Sequence, residues 1–172
     1  MTARDLPSDR YAFRPLTGED AGQLAALHIR IWRETYAGLM AQSALDALDV
    51  EHSTRKWRDI LGADDAPRVL GAFDGQTGEL AGWITVGEPG DADAPAPTEL
   101  RVLNVAAEHQ GTGLAHELLI RELADRAAYL WVVEGNERAI AFYRRHGFEL
   151  DGVTKEQAGE GNVDLRMTRS LP

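Results

Sequence analysis

The order of segments along the chain predicts an α/β (α+β) fold, a sheet layered with helices. Three observations carry this. Helical spacing of apolar residues dominates positions 20–61, short apolar runs bounded by turn residues begin at position 69, and from position 98 strands and helices alternate. That order fits neither an all-helical bundle nor a β-sandwich. At 172 residues the chain reads as one domain, 1–172, long enough to bury a core without covalent staples.

Each element follows from local signals. Residues 1–9 are polar and are expected to form a flexible terminus. A short strand is expected at Tyr11–Arg14. Thr17-Gly18-Glu19-Asp20 then supplies a hydroxyl at a cap position and an acid three residues later, which starts a helix. From Asp20 to about Tyr36, Leu24, Leu27 and Ile31 recur at helical spacing, while His28, Trp32 and Tyr36 run at intervals of four on the neighbouring face. Two more helices are expected at Ser43–Leu48 and Val50–Leu61, and Gly62–Pro67 breaks the pattern. Val69–Phe73 and Leu80–Val86 read as strands joined by the hairpin loop DGQTGE. The stretch GEPGDADAPAP at Gly87–Pro97 is a loop with no core residues. A strand at Thr98–Val105, a helix running to about Ala128 and a strand at Tyr129–Val133 follow. A helix over Asn136–His146 is stopped by Gly147, whose missing side chain suits a left-handed C-terminal position. Phe148–Val153 and Val163–Thr168 are the last strands, joined by a polar loop.

Composition removes whole classes of function. The chain has no cysteine, so disulfides, thiolate zinc sites, iron–sulfur clusters and a cysteine nucleophile are excluded. The start MTARDLPSDR lacks the apolar core of a secretory signal and no run reaches membrane-spanning length, so a cytoplasmic location and no membrane partner are expected. A formal net charge of -10 argues against a nucleic-acid partner. The five histidines show no HExxH spacing and none of the four serines sits in a GxSxG context, so metallohydrolase and serine-esterase chemistry drop out and no metal is expected.

The most informative stretch is ELRVLNV followed by AAEHQGTGLAHELL. Two glycines at a strand–helix joint let the chain curl and let a ligand approach backbone amides without a β-carbon in the way. A helix N-terminus carries unpaired N–H groups and partial positive charge, so the arrangement suits phosphate. A nucleotide P-loop would need a lysine and a hydroxyl after the second glycine, where Leu114 and Ala115 stand. A dinucleotide fingerprint would need a glycine or alanine where His116 stands. What fits is Gln-x-x-Gly-x-Ala at Gln110, Gly113 and Ala115. A second motif follows in LWVVEGNERAIAFYRRHGF: a strand, Asn136, Tyr143 seven residues on, then Gly147-Phe148.

Together the two motifs resemble those of the GCN5-related N-acetyltransferase (GNAT) family, from about Glu99 to Asp151, with weaker likeness in the early HIRIWRETYAGL. The resemblance implies a twisted mixed sheet of six to seven strands flanked by helices, with the fourth and fifth strands splayed, and acetyl-coenzyme A as acyl donor. It implies that backbone groups of Leu103, Asn104 and Val105 bond the acyl and pantetheine end like an added strand. Amides of Gln110, Gly111, Thr112, Gly113, Leu114 and Ala115 would hold the diphosphate, with a further bond from the Thr112 hydroxyl, and Asn136 would reach the pantetheine or sulfur end. Many members carry an aromatic residue where Asn104 stands, but the contact is largely main-chain.

The reaction so implied is acetyl transfer to a primary amine of a small molecule, amino acid or peptide by direct attack in a ternary complex; no covalent nucleophile is evident. Tyr143 is the expected acid for the leaving thiolate and Glu99, six residues before Val105 on one strand face, the expected base. Relatives that acetylate ribosomal-protein amino termini place a base where this chain has Trp131, which cannot accept a proton. His28, Trp32 and Tyr36 are expected to line the acceptor side, with core packing as the other reading. Family habit implies a homodimer. The alternative function is a non-catalytic acyl-CoA-binding sensor on the same fold.

Overall fold

The computed structural model describes residues 10–156 and 162–170, so the terminus expected to be flexible over 1–9 lies outside them. The strands are β1 (Tyr11–Pro15), β2 (Val69–Asp74), β3 (Leu80–Gly87), β4 (Glu99–Val105), β5 (Ala128–Val133), β6 (Glu149–Glu156) and β7 (Val163–Arg169). The helices are α1 (Ala21–Thr35), α2 (Gln42–Asp46), α3 (Val50–Gly62), α4 (Leu114–Leu123) and α5 (Glu137–Arg144), with short 3₁₀ turns at Gly18–Asp20 and Ala107–His109. The strands form one seven-stranded sheet in the order β1-β2-β3-β4-β5-β7-β6. It is mixed: β4 and β5 run parallel and meet at Glu99↔Tyr129, joined through α4, the crossover that parallel neighbours require.

The chain forms two compact units. One comprises the described residues up to Ile31, Asp49–Thr85 and Val102–Ala124. Here β1 pairs antiparallel with β2 from Tyr11↔Asp74 to Pro15↔Leu70, and β2 pairs antiparallel with β3 from Val69↔Thr85. Both β2 and the first six residues of β3 are buried throughout, which is why they read as continuous apolar runs. The helical repeat Leu24, Leu27 and Ile31 packs with Leu16, Leu61, Val69, Phe73, Leu80 and Trp83 into one core cluster. Leu114, Leu118, Leu119 and Leu123 of α4 are completely buried, and α4 packs on β2. The start of α1 is locked as its sequence predicts: the Asp20 carboxylate accepts the Thr17 N–H at 2.8 Å and the Thr17 hydroxyl at 3.2 Å.

The other unit comprises Trp32–Leu48, Val86–Arg101 and the described residues from Asp125 onward. β7 lies between β5 and β6, antiparallel to both, with Ala128↔Arg169 and Glu149↔Thr168 in register. Tyr129, Leu130, Phe148 and Met167 are its best-buried large side chains along with Leu45. β6 closes the sheet with an exposed, charged edge strand.

Most expected elements are present within a residue or two. Two depart further. The helix expected to reach about Ala128 ends at Leu123, because Ala124 takes φ 47° and turns the chain out of the helix without a glycine or proline to signal it. The strand after Phe148 runs to Glu156 rather than Val153, drawn out by pairing with β7 across a register irregularity between Leu150 and Thr154. Among the described residues no helix is long and apolar enough to cross a membrane.

Candidate active site

The loop between β4 and α4 carries two glycines at the head of a helix. Gly111 and Gly113 both take left-handed φ, 76° and 89°, and Gly113 stands at the N-cap of α4. A β-carbon on Gly111 would meet nothing within 4 Å, so the backbone there faces open space. No acidic side chain occurs between Gln110 and Ala115. Gln110 Nε2 donates to the Val105 carbonyl at 3.3 Å, folding the loop back onto the end of β4. Thr112 donates its hydroxyl to the His109 carbonyl at 2.7 Å and is bonded by the Tyr11 phenol at 3.2 Å.

Leu103, Asn104 and Val105 are all half-buried, unlike the fully covered β2. The backbone there lies close against β3: a β-carbon on Gly82 would come within 2.6 Å of the Asn104 carbonyl oxygen. His28 lies in the same unit, edge-on to Trp57 and Trp83 with ring centroids 6.0 and 5.8 Å away. Burial, and secondarily the Lys56 charge, pull its imidazole below the ordinary value, so it is neutral near pH 7.

The second motif explains itself residue by residue. Asn136 caps α5, its side-chain oxygen accepting the Ala139 N–H at 3.2 Å. The carboxamide nitrogen is a separate donor, so capping and ligand binding are compatible. Gly147 at φ 82° ends the helix, and the next amide, Phe148 N–H, returns to the Tyr143 carbonyl at 3.1 Å. Phe148, fully buried, meets the Tyr143 ring edge-on at 5.8 Å. Loss of hydration is the main cause that pushes the Tyr143 phenol well above its ordinary value, and nearby Tyr36 adds to it. The phenol therefore keeps its proton through the working pH range. Tyr36 in turn packs edge-on to Trp32 at 5.3 Å. Thus Trp32, Tyr36 and Tyr143 come together, whereas His28 lies against Trp57 and Trp83.

Glu99 accepts the Gly90 N–H at 3.0 Å and lies 3.6 Å from the Arg101 guanidinium. It is one of several anchors of the 87–97 loop, and Arg101 adds another by donating to the Glu88 carbonyl at 2.7 Å. Asp91 accepts from the Tyr129 phenol at 2.9 Å and the Trp131 indole at 2.8 Å, with Lys155 3.6 Å away. Those donors hold the Asp91 carboxyl below the usual range, Trp131 foremost, while burial and then Asp91 push the Tyr129 phenol up to about 12. Asp93 accepts from Arg166, which also donates to Asp151 at 2.6 Å. No sequence pattern announces the contacts of Tyr11 with His109 and Thr112 or the Asp91 anchor. Their partners lie 38 to 101 residues apart, and no local pattern joins them. Among the described residues no cluster of histidine and carboxylate side chains could hold a metal ion.

The seven-stranded mixed sheet thus carries a glycine loop at the head of α4. The family model for the acetyltransferase (GNAT) family matches residues 29–148. A probable N-acetyltransferase of Mycobacterium tuberculosis is 28% identical, over 89% of this chain and 91% of that protein. Mycothiol acetyltransferase of Geodermatophilus obscurus is 35% identical over 106 residues, which are 56% of this chain and 32% of that protein. Among solved structures, the PaiA N-acetyltransferase from Thermoplasma acidophilum in complex with coenzyme A matches with a TM-score of 0.66 at 20% identity, over 91% of this chain and 97% of that one. The chain belongs to the GNAT acetyltransferase family and is an N-acetyltransferase.

Proposed function

We propose that the protein transfers an acetyl group from acetyl-CoA to a primary amine of a small molecule, amino acid or peptide, by direct attack while both substrates are bound. The observation that carries this reading is the anion-receiving loop: two left-handed glycines at the head of α4, with open space at Gly111. When bound, acetyl-CoA supplies an activated thioester carbonyl. The residues do the rest. Amides from Gln110 to Ala115 take the diphosphate, main-chain groups of Leu103, Asn104 and Val105 align the pantetheine and acyl carbonyl, and Asn136 donates to the pantetheine or sulfur end.

Tyr143 holds a hydrogen-bond donor toward the departing thiolate. Its raised pKa makes it a weaker acid than an exposed phenol but ensures that the proton is present when the sulfur leaves. An acceptor amine of pKa about 10 arrives protonated and must lose a proton before it attacks. Glu99 is the proposed base. Its engagement by Gly90 and Arg101 supports a second reading for this one step, removal of the proton through a water chain. Trp32 and Tyr36, grouped beside Tyr143, are proposed to line the acceptor side, and His28 to contribute a neutral imidazole.

The experiment is thiol release from acetyl-CoA against a panel of amines. Tyr143→Phe is expected to lose about 100-fold in kcat with donor affinity kept, a typical contribution of one positioned proton donor. Full activity in that variant would remove Tyr143 from the chemistry. In the same assay Glu99→Gln should lose most at low pH, where more of the amine is protonated. An unchanged pH profile would assign the proton to water.

A further inference from the structure

We infer that Tyr11 is a positioning residue for the acyl donor, holding the diphosphate loop in its binding shape through Thr112 and His109. The inference rests on the donor reading above and deepens it. Tyr11 belongs to β1, far in sequence from the loop, and is only 4% exposed. Its hydroxyl lies 3.0 Å from His109 Nδ1 and 3.2 Å from Thr112 Oγ1. Its ring meets the imidazole edge-on with centroids 5.5 Å apart.

The two hydroxyl protons in this cluster can be placed by elimination. A carbonyl oxygen only accepts, so the Thr112 hydroxyl must donate to the His109 carbonyl, 2.7 Å away. Thr112 then has no second proton, so Tyr11 must be the donor in the Tyr11–Thr112 bond. The phenol proton being spent on Thr112, the 3.0 Å contact with His109 is a hydrogen bond in the tautomer that carries its proton on Nδ1, which then donates to Tyr11. The result is a closed ring running imidazole, phenol, threonine hydroxyl, and back to the backbone of the same histidine. In the other tautomer Nδ1 accepts instead from Arg10 Nη2, 3.3 Å away, and Tyr11 still donates to Thr112. The Asp74 carboxylate satisfies Arg10 at 3.2 Å and lies 3.9 Å from the imidazole nitrogen.

The ring matters because of what it ties down. Thr112 sits between two glycines in left-handed conformations, a segment with much conformational freedom to lose when it closes on an anion. Anchoring its middle residue to a buried side chain of β1, itself in register with Asp74 of β2, removes that freedom in advance. The Thr112 hydroxyl proton is directed inward, so in this arrangement its part is to shape the amides.

Tyr11→Phe deletes the hydroxyl and leaves the ring packing. Calorimetry with acetyl-CoA, and competition against it by acetyl-pantetheine, which lacks the diphosphate, test the role. The variant is expected to bind acetyl-CoA about five- to tenfold more weakly, the effect of one lost buried hydrogen bond, with an inhibition constant for acetyl-pantetheine like that of the parent. Thr112→Val should give a similar selective loss, and the double variant little more than either alone, because both break one ring. Equal weakening toward both ligands would mean general damage to the fold and would overturn the proposal, as would unchanged acetyl-CoA affinity in both single variants. A parent protein that binds acetyl-CoA no better than acetyl-pantetheine would instead overturn the donor reading, and this inference with it.

Discussion

Asp20 has one carboxylate and at least four hydrogen bonds to it. Arg14 donates to both of its oxygens at 2.7 and 2.8 Å, and Thr17 adds its N–H and hydroxyl. The Arg14 hydrogen bonds are the largest cause that lowers the Asp20 pKa below its ordinary 3.8; burial opposes them and loses. A carboxyl whose folded value is depressed stabilises the fold above its unfolded value and loses that contribution as pH falls through the folded one. Asp20→Asn should therefore lower stability at pH 7, and the difference from the parent should shrink as pH drops below 3.8 in urea titrations. A difference constant with pH would mean that the charge on Asp20 contributes nothing to stability. This residue was legible in the sequence as a capping acid, and Gly147 as a helix stop, because each acts on backbone groups a few residues away. Tyr11 and Asp91 were not. Their partners are set by how strands come together, and nothing near either residue announces them.

Gly82 shows how one element can govern another. It lies on β3 opposite Asn104, in the stretch of β4 proposed to align the donor, and a β-carbon there would come within 2.6 Å of a carbonyl oxygen. Backbone cannot step aside as the end of a flexible side chain can. Gly82→Ala should push β4 outward, lowering the melting temperature by several degrees and weakening acetyl-CoA binding, read by thermal denaturation and calorimetry. If both stay at parent values, β4 has room that this spacing denies. Strands and helices were legible where periodicity was sustained, as in α1 and the buried runs of β2 and β3. Ends were less so. α4 stops at Ala124 with φ 47°, a turn that the residues LADRAAY do not signal, and β6 is lengthened by its neighbour rather than by its own composition.

At the scale of the whole molecule, charge is the plainest property. A net charge of -10 attracts a cationic amine and repels the polyanionic donor, which the proposed diphosphate loop would bind against that field. Raising ionic strength from about 0.02 to 0.3 M shortens the screening length below about 10 Å and should raise the KM for a cationic acceptor while lowering that for acetyl-CoA. Steady-state kinetics with sodium chloride tests both; parallel movement of the two constants would contradict the picture. The family was legible because its two motifs are local, each a strand, a turn and a helix start. The acceptor is a matter of assembled shape, to which composition is silent. The 87–97 segment is fastened by salt links and hydrogen bonds at Asp91 and Asp93 and contributes no buried side chain. Between such rivets, evolution can lengthen, shorten or rewrite the tip while the sheet beneath folds as before. Divergence among paralogues should therefore concentrate there.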